Sequence, residues 1–513
     1  MKYAEQKYIL SIDQGTTGTR CAIIDRTGRI VSFAYLLHDQ YFPHPGWVEQ
    51  DPEQIWNNTR AVIKKALYKG KIDASSLAAI GITNQRETTV VWNRLTGRPI
   101  YNAIVWQDVR TQGYLKRFEE QADFLHQKTG LPLSTYFSAT KIKWILENVP
   151  GAKEGAKKGE LLFGNIDSWL IWKLTLQEND RHAVHATDHT NASRSLLMDI
   201  RKLKWSNEIL ELFQIPYSMM PEIYPSSFQK GYGFTGAESV FGCPIAITGD
   251  LGDQQASLFG QLCFRIGDTK CTHGSGSFIL QNTGDKPVFS TNGLVTTVAF
   301  SSSKNDVRFA LEGSIAVSGS IITWLQKNLG ILRDPKEIGK IAASVSGSGS
   351  IGVYLVPAFA GLFAPYWDAT ARGLIIGLTQ HTTSSHIIRA ALESICFQTA
   401  DIVQAIQKDT GVKIGSLKVD GGLSSNDYLM QLQADLLGLN VIRARETEMT
   451  AIGAAYVAGL AAGFWKGVDE LALHTSKKGF EFRPSVRPPE RDSMYNGWLR
   501  AVQRAMKWNQ QCF

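Results

Sequence analysis

Three carboxylates stand where a turn or a neighbouring cation could put them to chemical use. Asp13 closes the apolar run Tyr8–Ile12, and Gln14-Gly15-Thr16-Thr17-Gly18-Thr19-Arg20 follows before a second apolar run, Cys21 to Ile24. Glycine lets backbone approach a ligand closely, successive turn N–H groups form an anion-binding nest, and threonine hydroxyls add donors. A carboxylate at the base of such a hairpin suits Mg²⁺ held partly through water. The stretch reads as a phosphate-binding hairpin or as an ordinary tight turn. Asp253 lies where the run Pro244 to Thr248 passes through Gly249-Asp250 and Gly252-Asp253 into a helix carrying Ala256, Leu258 and Phe259. There it can serve as a general base or metal-side ligand, with Gly252 clearing the approach, or it can simply cap the helix. Arg86 and Glu87 follow the apolar strand Leu77–Thr83, at the strand end where open α/β sheets place ligands. Forked donors beside an acceptor suit vicinal hydroxyls; a surface ion pair is the other reading.

Aromatic residues recur beside polar ones at Trp106-Gln107-Asp108 and Tyr136-Phe137-Ser138. They can face the carbons of a small polyol or fill the core. His182, His185 and His189 have the spacing of one helix face, but their neighbours are poor helix formers. A loop or strand is expected there rather than a metal site.

The elements that must position these groups alternate between strands and helices, which indicates an α/β fold. Asp51-Pro52 starts a helix, with Gln54 in place to complete a capping box. Leu77–Thr83 and Thr88–Trp92 read as strands. The stretch Thr269 to Leu280 repeats the plan of the first hairpin, with Gly274-Ser275-Gly276 at its tip. Two such hairpins, one near the start of each half, predict two related domains, 1–260 and 261–513. Ser318-Gly319-Ser320 precedes a helix. Ser344 to Ser350 reads as a flexible loop, and His386–Lys408, ended by Gly411, as a core helix. Asp420-Gly421-Gly422 leads through Ser424 or Ser425, as a cap, into a helix bearing Leu429, Leu432 and Leu436. That turn suits a nucleotide or a plain connection. Small residues between Ala451 and Trp465 predict a buried helix close to neighbouring backbone, and Arg483–Asp492 reads as extended chain before a final helix.

The chain has 513 residues, 43% of them hydrophobic and 20% charged, which is globular and long enough for two cores. The net charge of +7, from 54 basic and 47 acidic residues, is compatible with anionic ligands and gives no support to a nucleic-acid partner. Lys64-Lys65 and Lys157-Lys158 read as solvated faces. Six cysteines without paired short spacing suggest neither zinc nor a disulfide framework, so a reducing, cytoplasmic setting is expected. A strand begins almost at once, leaving no room for a leader, and no apolar stretch reaches membrane-spanning length. The ending Gln511-Cys512-Phe513 is no targeting signal.

Assembled in order, these blocks resemble the FGGY carbohydrate kinases over essentially the whole chain. The resemblance rests on Asp13-Gln14-Gly15-Thr16-Thr17, Asn84-Gln85-Arg86-Glu87-Thr88-Thr89, Gly252-Asp253-Gln254-Gln255 and Asp420-Gly421-Gly422. Tyr136 through Asn148, Ala364 through Asp368 and Gly373 through Glu393 fit longer family patterns. The Arg86-Glu87 pair is similar to the branch that phosphorylates glycerol rather than to the sugar kinases. The resemblance implies two actin-like ATPase (ribonuclease H-like) domains around a central cleft. It implies ATP-dependent phosphorylation of glycerol to sn-glycerol 3-phosphate in glycerol catabolism, by a homo-oligomer such as a dimer. Glycerol would lie against Arg86, Glu87, Tyr136, Asp253 and Gln254, with Trp106 and Phe278 on its carbons. Asp253 would take the proton. ATP would contact Thr16, Thr17, Gly18, Arg20, Ser275, Gly319, Gly422 and Asn426, with Mg²⁺ on the side of Asp13 and Asp253. Gly18 stands where the family commonly has serine, His273 to Ser277 replace a Tyr-Gly-Thr-Gly-Cys type of sequence, and Thr323 replaces a frequent glutamine. Another polyol or sugar as acceptor is the neighbouring reading, and a nucleotide-gated, actin-like interaction protein a more distant one.

Overall fold

Tyr8 to Ile12 is buried strand, as its aromatic and β-branched content requires. In the computed structural model, which describes residues 6–177, 183–236, 239–303, 305–345, 347, 352–475 and 479–508, β1 (Tyr8–Gln14) forms a hairpin with β2 (Gly18–Asp25), Gln14 facing Thr19. β3 (Ile30–Leu37) continues antiparallel. Helix α1 (Pro52–Gly70) then leads to β4 (Leu77–Asn84), parallel to β1, and β5 (Ile247–Gly252) lies parallel to β4. The sheet order is β5-β4-β1-β2-β3. Asp51 caps α1 by accepting from the Glu53 N–H at 2.9 Å, with Pro52 in the first turn. Gln54 does not close the box; its amide donates to Asp39 at 2.8 Å and accepts from the Asp39 N–H at 2.9 Å.

After α2 (Asp253–Gly260) comes a second sheet built from β6 (Thr269–His273), β7 (Ser277–Gly284), β8 (Val295–Ser303), β9 (Asp306–Ile315), β10 (Ser416–Asp420), β11 (Asn440–Arg443) and β12 (Phe480–Phe482). Its order is β8-β9-β7-β6-β10-β11-β12. The central five, β9-β7-β6-β10-β11, repeat the first sheet strand for strand. In both, two strands joined by successive antiparallel pairings lie on one side of the central strand and two parallel ones on the other. The two-domain α/β architecture expected from the sequence is the one observed.

The halves are not independent bodies. Helix α3 (Ser384–Thr410) fills the second core, capped at Thr383 and ended by left-handed Gly411 as anticipated. It is followed by α4 (Asp427–Leu437) and α5 (Met449–Ala461). Although α5 comes late in the chain, it packs on the first sheet against Ile9, Ala22, Ile24, Ala79 and Leu251. Its small residues allow backbone contact. A Cβ on Gly453 would stand 1.8 Å from the Ala256 carbonyl oxygen, and one on Gly81 2.1 Å from that of Ala454. Val295, Val298, Val307 and Phe309 of β8 and β9 join a core otherwise made by the helical insertion between β4 and β5.

The strand expected at Thr88–Trp92 is Val90–Asn93, which pairs with Leu161–Gly164 in a separate two-stranded sheet. Three local expectations are corrected. Arg483–Asp492 is not all extended, because the final helix α6 (Pro488–Ala505) begins at the proline pair, and proline fits a first helical turn. The cap of α4 is Asn426, while Ser424 and Ser425 donate back to the Gly421 and Gly422 carbonyls at 2.7 and 2.8 Å. The buried helix predicted up to Trp465 ends at Ala461. His182, most of Ser344–Ser350 and the Gln511–Phe513 ending lie outside the described residues. His185 bonds the Phe163 carbonyl oxygen and His189 the Ser301 hydroxyl, so the two do not share a ligand. Among the described residues no helix is long and apolar enough to cross a membrane.

Candidate active site

Strands that run parallel from the middle of a sheet deliver their ends to one edge, and the chemistry gathers there. Asp13 is at the end of β1, Arg86 and Glu87 just beyond β4, and Asp253 just beyond β5. Arg86 and Glu87 are not a surface ion pair, since both are 2% exposed. Nor do they pair with each other. Arg86 forks onto Glu312 of β9, with Nη2 donating to Oε1 at 2.8 Å and Nη1 to Oε2. Nη1 also donates to Gln255 Oε1 at 3.1 Å, and Nε lies 3.2 Å from Asp253 Oδ1. Glu87 Oε1 accepts from Arg194 Nε at 2.6 Å, and Arg194 Nη2 lies 3.2 Å from Glu312. Burial raises the Glu87 pKa, Arg194 and Arg86 opposing it. At Glu312 burial acts the same way but loses to the two guanidiniums, which hold the carboxyl down at about 2. Glu312 and Arg194 were not found from the sequence. The one local signal for Glu312 is an acid in the apolar strand Phe309-Ala310-Leu311-Glu312-Gly313.

The fork expected to meet substrate hydroxyls is therefore occupied from inside the protein. Of the five guanidinium N–H groups, Arg86 keeps one on Nη2 after Glu312, Gln255 and the side facing Asp253 are served. Beside it stands an aromatic wall made by both halves. Trp106 packs edge-on against Tyr136 at 5.5 Å and Phe278 at 6.1 Å between ring centroids. Arg86 lies over Phe278 at 5.8 Å. The Trp106 indole donates to Thr16 Oγ1 at 2.9 Å, joining this wall to the first hairpin. Asp253 opens α2, its Oδ1 accepting from the Gln254 N–H at 2.8 Å, with the side chain 26% exposed. It is thus a first-turn residue of that helix, and Gly252 holds the cap position.

The two hairpin tips share a construction. The Gly15 N–H donates to the Gly18 carbonyl at 3.0 Å, and the Gly274 N–H to that of Gly276 at 2.9 Å. The second tip is braced from outside: the N–H groups of Ser318 and Ser320 donate to the Ser275 carbonyl, and Gly319 to Gly274. A Cβ on Gly319 would stand 2.6 Å from the Gly274 oxygen. Gly421, at φ +83°, lets the third turn approach the His273 backbone, while Gly422 faces open space. Asn426 uses Oδ1 to cap α4 at 3.0 Å from the Leu429 nitrogen, which leaves its amide N–H₂ for other contacts. Asp13 is buried, and burial pushes its carboxyl up to about 6 against the pull of Arg20, 3.4 Å away. Arg20 also reaches Glu448, at the start of α5, at 3.3 Å.

A model of the N-terminal domain of the FGGY family of carbohydrate kinases matches residues 8–260, and one of the C-terminal domain matches residues 269–462. The chain belongs to this family of kinases. This FGGY kinase is 50% identical over 504 residues to a glycerol kinase of Roseiflexus sp. (strain RS-1), covering 98% of its own length and 99% of the relative's. It is equally identical over 505 residues to a glycerol kinase of Clostridium botulinum (strain 657 / Type Ba4), with the same coverage. Among solved structures it is similar to Plasmodium falciparum glycerol kinase with ADP, at TM-score 0.89 and 38% identity over 98% of this chain and 99% of that one.

The Gly18 position of this FGGY kinase has a steric reason. A Cβ there would meet the Leu36 carbonyl oxygen and the Tyr35 ring, each at 2.5 Å. Tyr35 occupies the space, with its hydroxyl 3.4 Å from Thr17 Oγ1 and its ring under Arg20.

Beneath the site of this FGGY kinase lie three more acids, Asp167, Asp188 and Asp250, all buried. Asp250 shares a side-chain hydrogen bond with Asp167. Burial first, then Asp167 and Asp188, push its pKa well above the ordinary carboxylate value. Burial pushes Asp167 up to about 7. The folded chain thus keeps protons that the unfolded chain releases above pH about 4. The contribution of Asp167 is full below that pH and is lost as pH rises through about 7, and Asp250 acts in the same sense. Asp250→Asn, which keeps the site neutral, is expected to flatten the fall in melting temperature from pH 5 to 8. An unchanged slope in that variant would remove Asp250 from the titration.

Proposed function

We propose that this FGGY kinase transfers the γ-phosphoryl group of ATP to glycerol, giving sn-glycerol 3-phosphate and ADP. The observation that carries the reading is the placing of one partly exposed carboxylate, Asp253, against Arg86 and beside the wall of Trp106, Tyr136 and Phe278. The 50% identity to curated glycerol kinases supports the choice of acceptor.

In this reading the aromatic wall covers the carbons of glycerol. Arg86 Nη2, Glu87 Oε2 and the Gln254 amide orient its hydroxyls. Asp253 accepts the proton of the attacking hydroxyl as the new O–P bond forms and the bond from phosphorus to the β–γ bridging oxygen breaks, with ADP leaving. Such transfer needs chiefly positioning and charge neutralisation. The tips Thr16-Thr17-Gly18 and Gly274-Ser275-Gly276 present N–H and hydroxyl donors to the phosphates, with Arg20. Gly319, Gly422 and Asn426 line the nucleotide. Asp13 fits a cation, being a buried carboxylate close enough to feel the charges of Glu448 and Asp253, with Arg20 3.4 Å away, and Asp253 would complete the metal side. Mg²⁺ held there would supply positive charge to the phosphates. Domain closure excludes water, the competing acceptor.

A coupled assay for ADP tests the proposal with glycerol, with dihydroxyacetone, with a pentulose and with no acceptor. ADP formation that depends on glycerol is expected. A preference for the pentulose would move the reading to another kinase, and acceptor-independent ATP hydrolysis would move it to a nucleotide-gated interaction protein.

A further inference from the structure

Gln254 is 5% exposed, and its Oε1 accepts a hydrogen bond from Lys270 Nζ at 2.6 Å. Its Nε2 donates to no described residue, yet it is not sealed from solvent. Lys270 sits on β6, fully buried, and also donates to Thr272 Oγ1 at 2.9 Å. Thr272 continues through Ser257 to Asp420, so the lysine is held from behind by groups remote from the polyol pocket. Burial lowers its pKa, and the carboxylates of Asp420, Glu312 and Asp253 act in the opposite sense.

An ammonium has three donors and no acceptor. An amide facing it has one satisfied orientation, oxygen toward the lysine and N–H₂ away. A glutamine without such a partner turns broadly about its last torsion and can offer either end. We propose that Lys270 is a positioning residue that fixes Gln254 as a hydrogen-bond donor to the acceptor substrate. The hydroxyl opposite Gln254 is then bound as an acceptor and keeps its own proton for a carboxylate, Glu87 or Asp253. A group that both accepts and donates, such as an alcohol, fits this arrangement; a methyl group at the same place fits neither side. The inference rests on the reading of the pocket as a glycerol site.

The test measures dissociation constants for glycerol, 1,2-propanediol and 1,3-propanediol by calorimetry, in the unsubstituted protein and in Lys270→Met. Lys270→Met is expected to weaken glycerol by about tenfold or more, the effect of one hydrogen bond to a charged or oriented group. The propanediol that lacks the hydroxyl opposite Gln254 should be unaffected. Equal weakening of all three ligands, as from a general loss of structure, overturns the role of Lys270. In a Gln254→Leu background Lys270→Met should have no further effect on glycerol, and a full second loss also overturns it. Should Lys270→Met not fold, Gln254→Glu keeps the buried pair but turns an acceptor toward the pocket. Undiminished glycerol selectivity in that variant is a refutation. If the unsubstituted protein binds no glycerol at all, the pocket assignment fails and this inference with it, an outcome distinct from the others.

Discussion

Asp253→Asn is expected to lower kcat by roughly 10²–10⁴-fold, the usual contribution of a positioned general base. The carboxylate is one atom from an isostere that cannot take a proton, and its surroundings should persist. Arg86 remains anchored on Glu312 by the fork, and the asparagine oxygen can still accept from the Gln254 N–H. KM for glycerol should therefore move much less than kcat. The informative measurement is steady-state kinetics together with a thermal melt. Near-normal turnover in a folded variant would take the proton-accepting role away from Asp253. A loss confined to KM would make it a substrate-binding group only.

Arg86→Ala should be costly in two ways. Removing one partner of a buried ion pair destabilises by about 3–5 kcal/mol, because the other charge is left without compensation. Here Glu312, completely buried, would keep only Arg194, and Asp253 would lose its cation. The second cost falls on the acceptor: about ten- to a hundredfold weaker glycerol binding, from the loss of a charged donor. ATP affinity should change less, since neither hairpin tip contacts Arg86. Denaturant unfolding and separate titrations of the two substrates read these effects independently. Equal losses of both affinities would place Arg86 outside the polyol pocket. Replacing Arg86 by methionine together with Glu312 by glutamine should restore much of the stability but none of the glycerol affinity.

What could be read from the sequence was local. A hairpin with glycine and hydroxyl residues at its tip is specified within a dozen positions, as are Gly252 before Asp253 and the glycines after Asp420. Both hairpins and both turns stand where those signals put them. Partners distant along the chain left no such trace. Arg86 finds Glu312 across 226 positions, and Glu87 finds Arg194 across 107. Adjacency suggested that Arg86 and Glu87 serve each other, whereas the turn at Glu87, with φ +40°, sends the two side chains to different partners. Asp250 and Asp253 looked alike as two acids after glycine. Three residues along the chain separate them: Asp250 is inside the sheet, and Asp253 has reached the mouth of the pocket. Caps were misassigned where several candidates lay side by side, as with Ser424, Ser425 and Asn426.

The placing of α5 on the first sheet has a consequence for how this chain is made. The face formed by Ile9, Ala22, Ile24, Ala79 and Leu251 has little cover beyond Ala256 and Phe259 of α2 until residues 449–461 arrive. About 200 residues separate α5 from the end of α2, which at 5–20 residues per second is roughly 10–40 s of synthesis. For that interval the ribosome carries a nascent sheet with one greasy side largely bare. Final docking of the two halves is a late event, after translation has passed the last of the nucleotide turns, and the same step that buries that face brings Glu448 to Arg20.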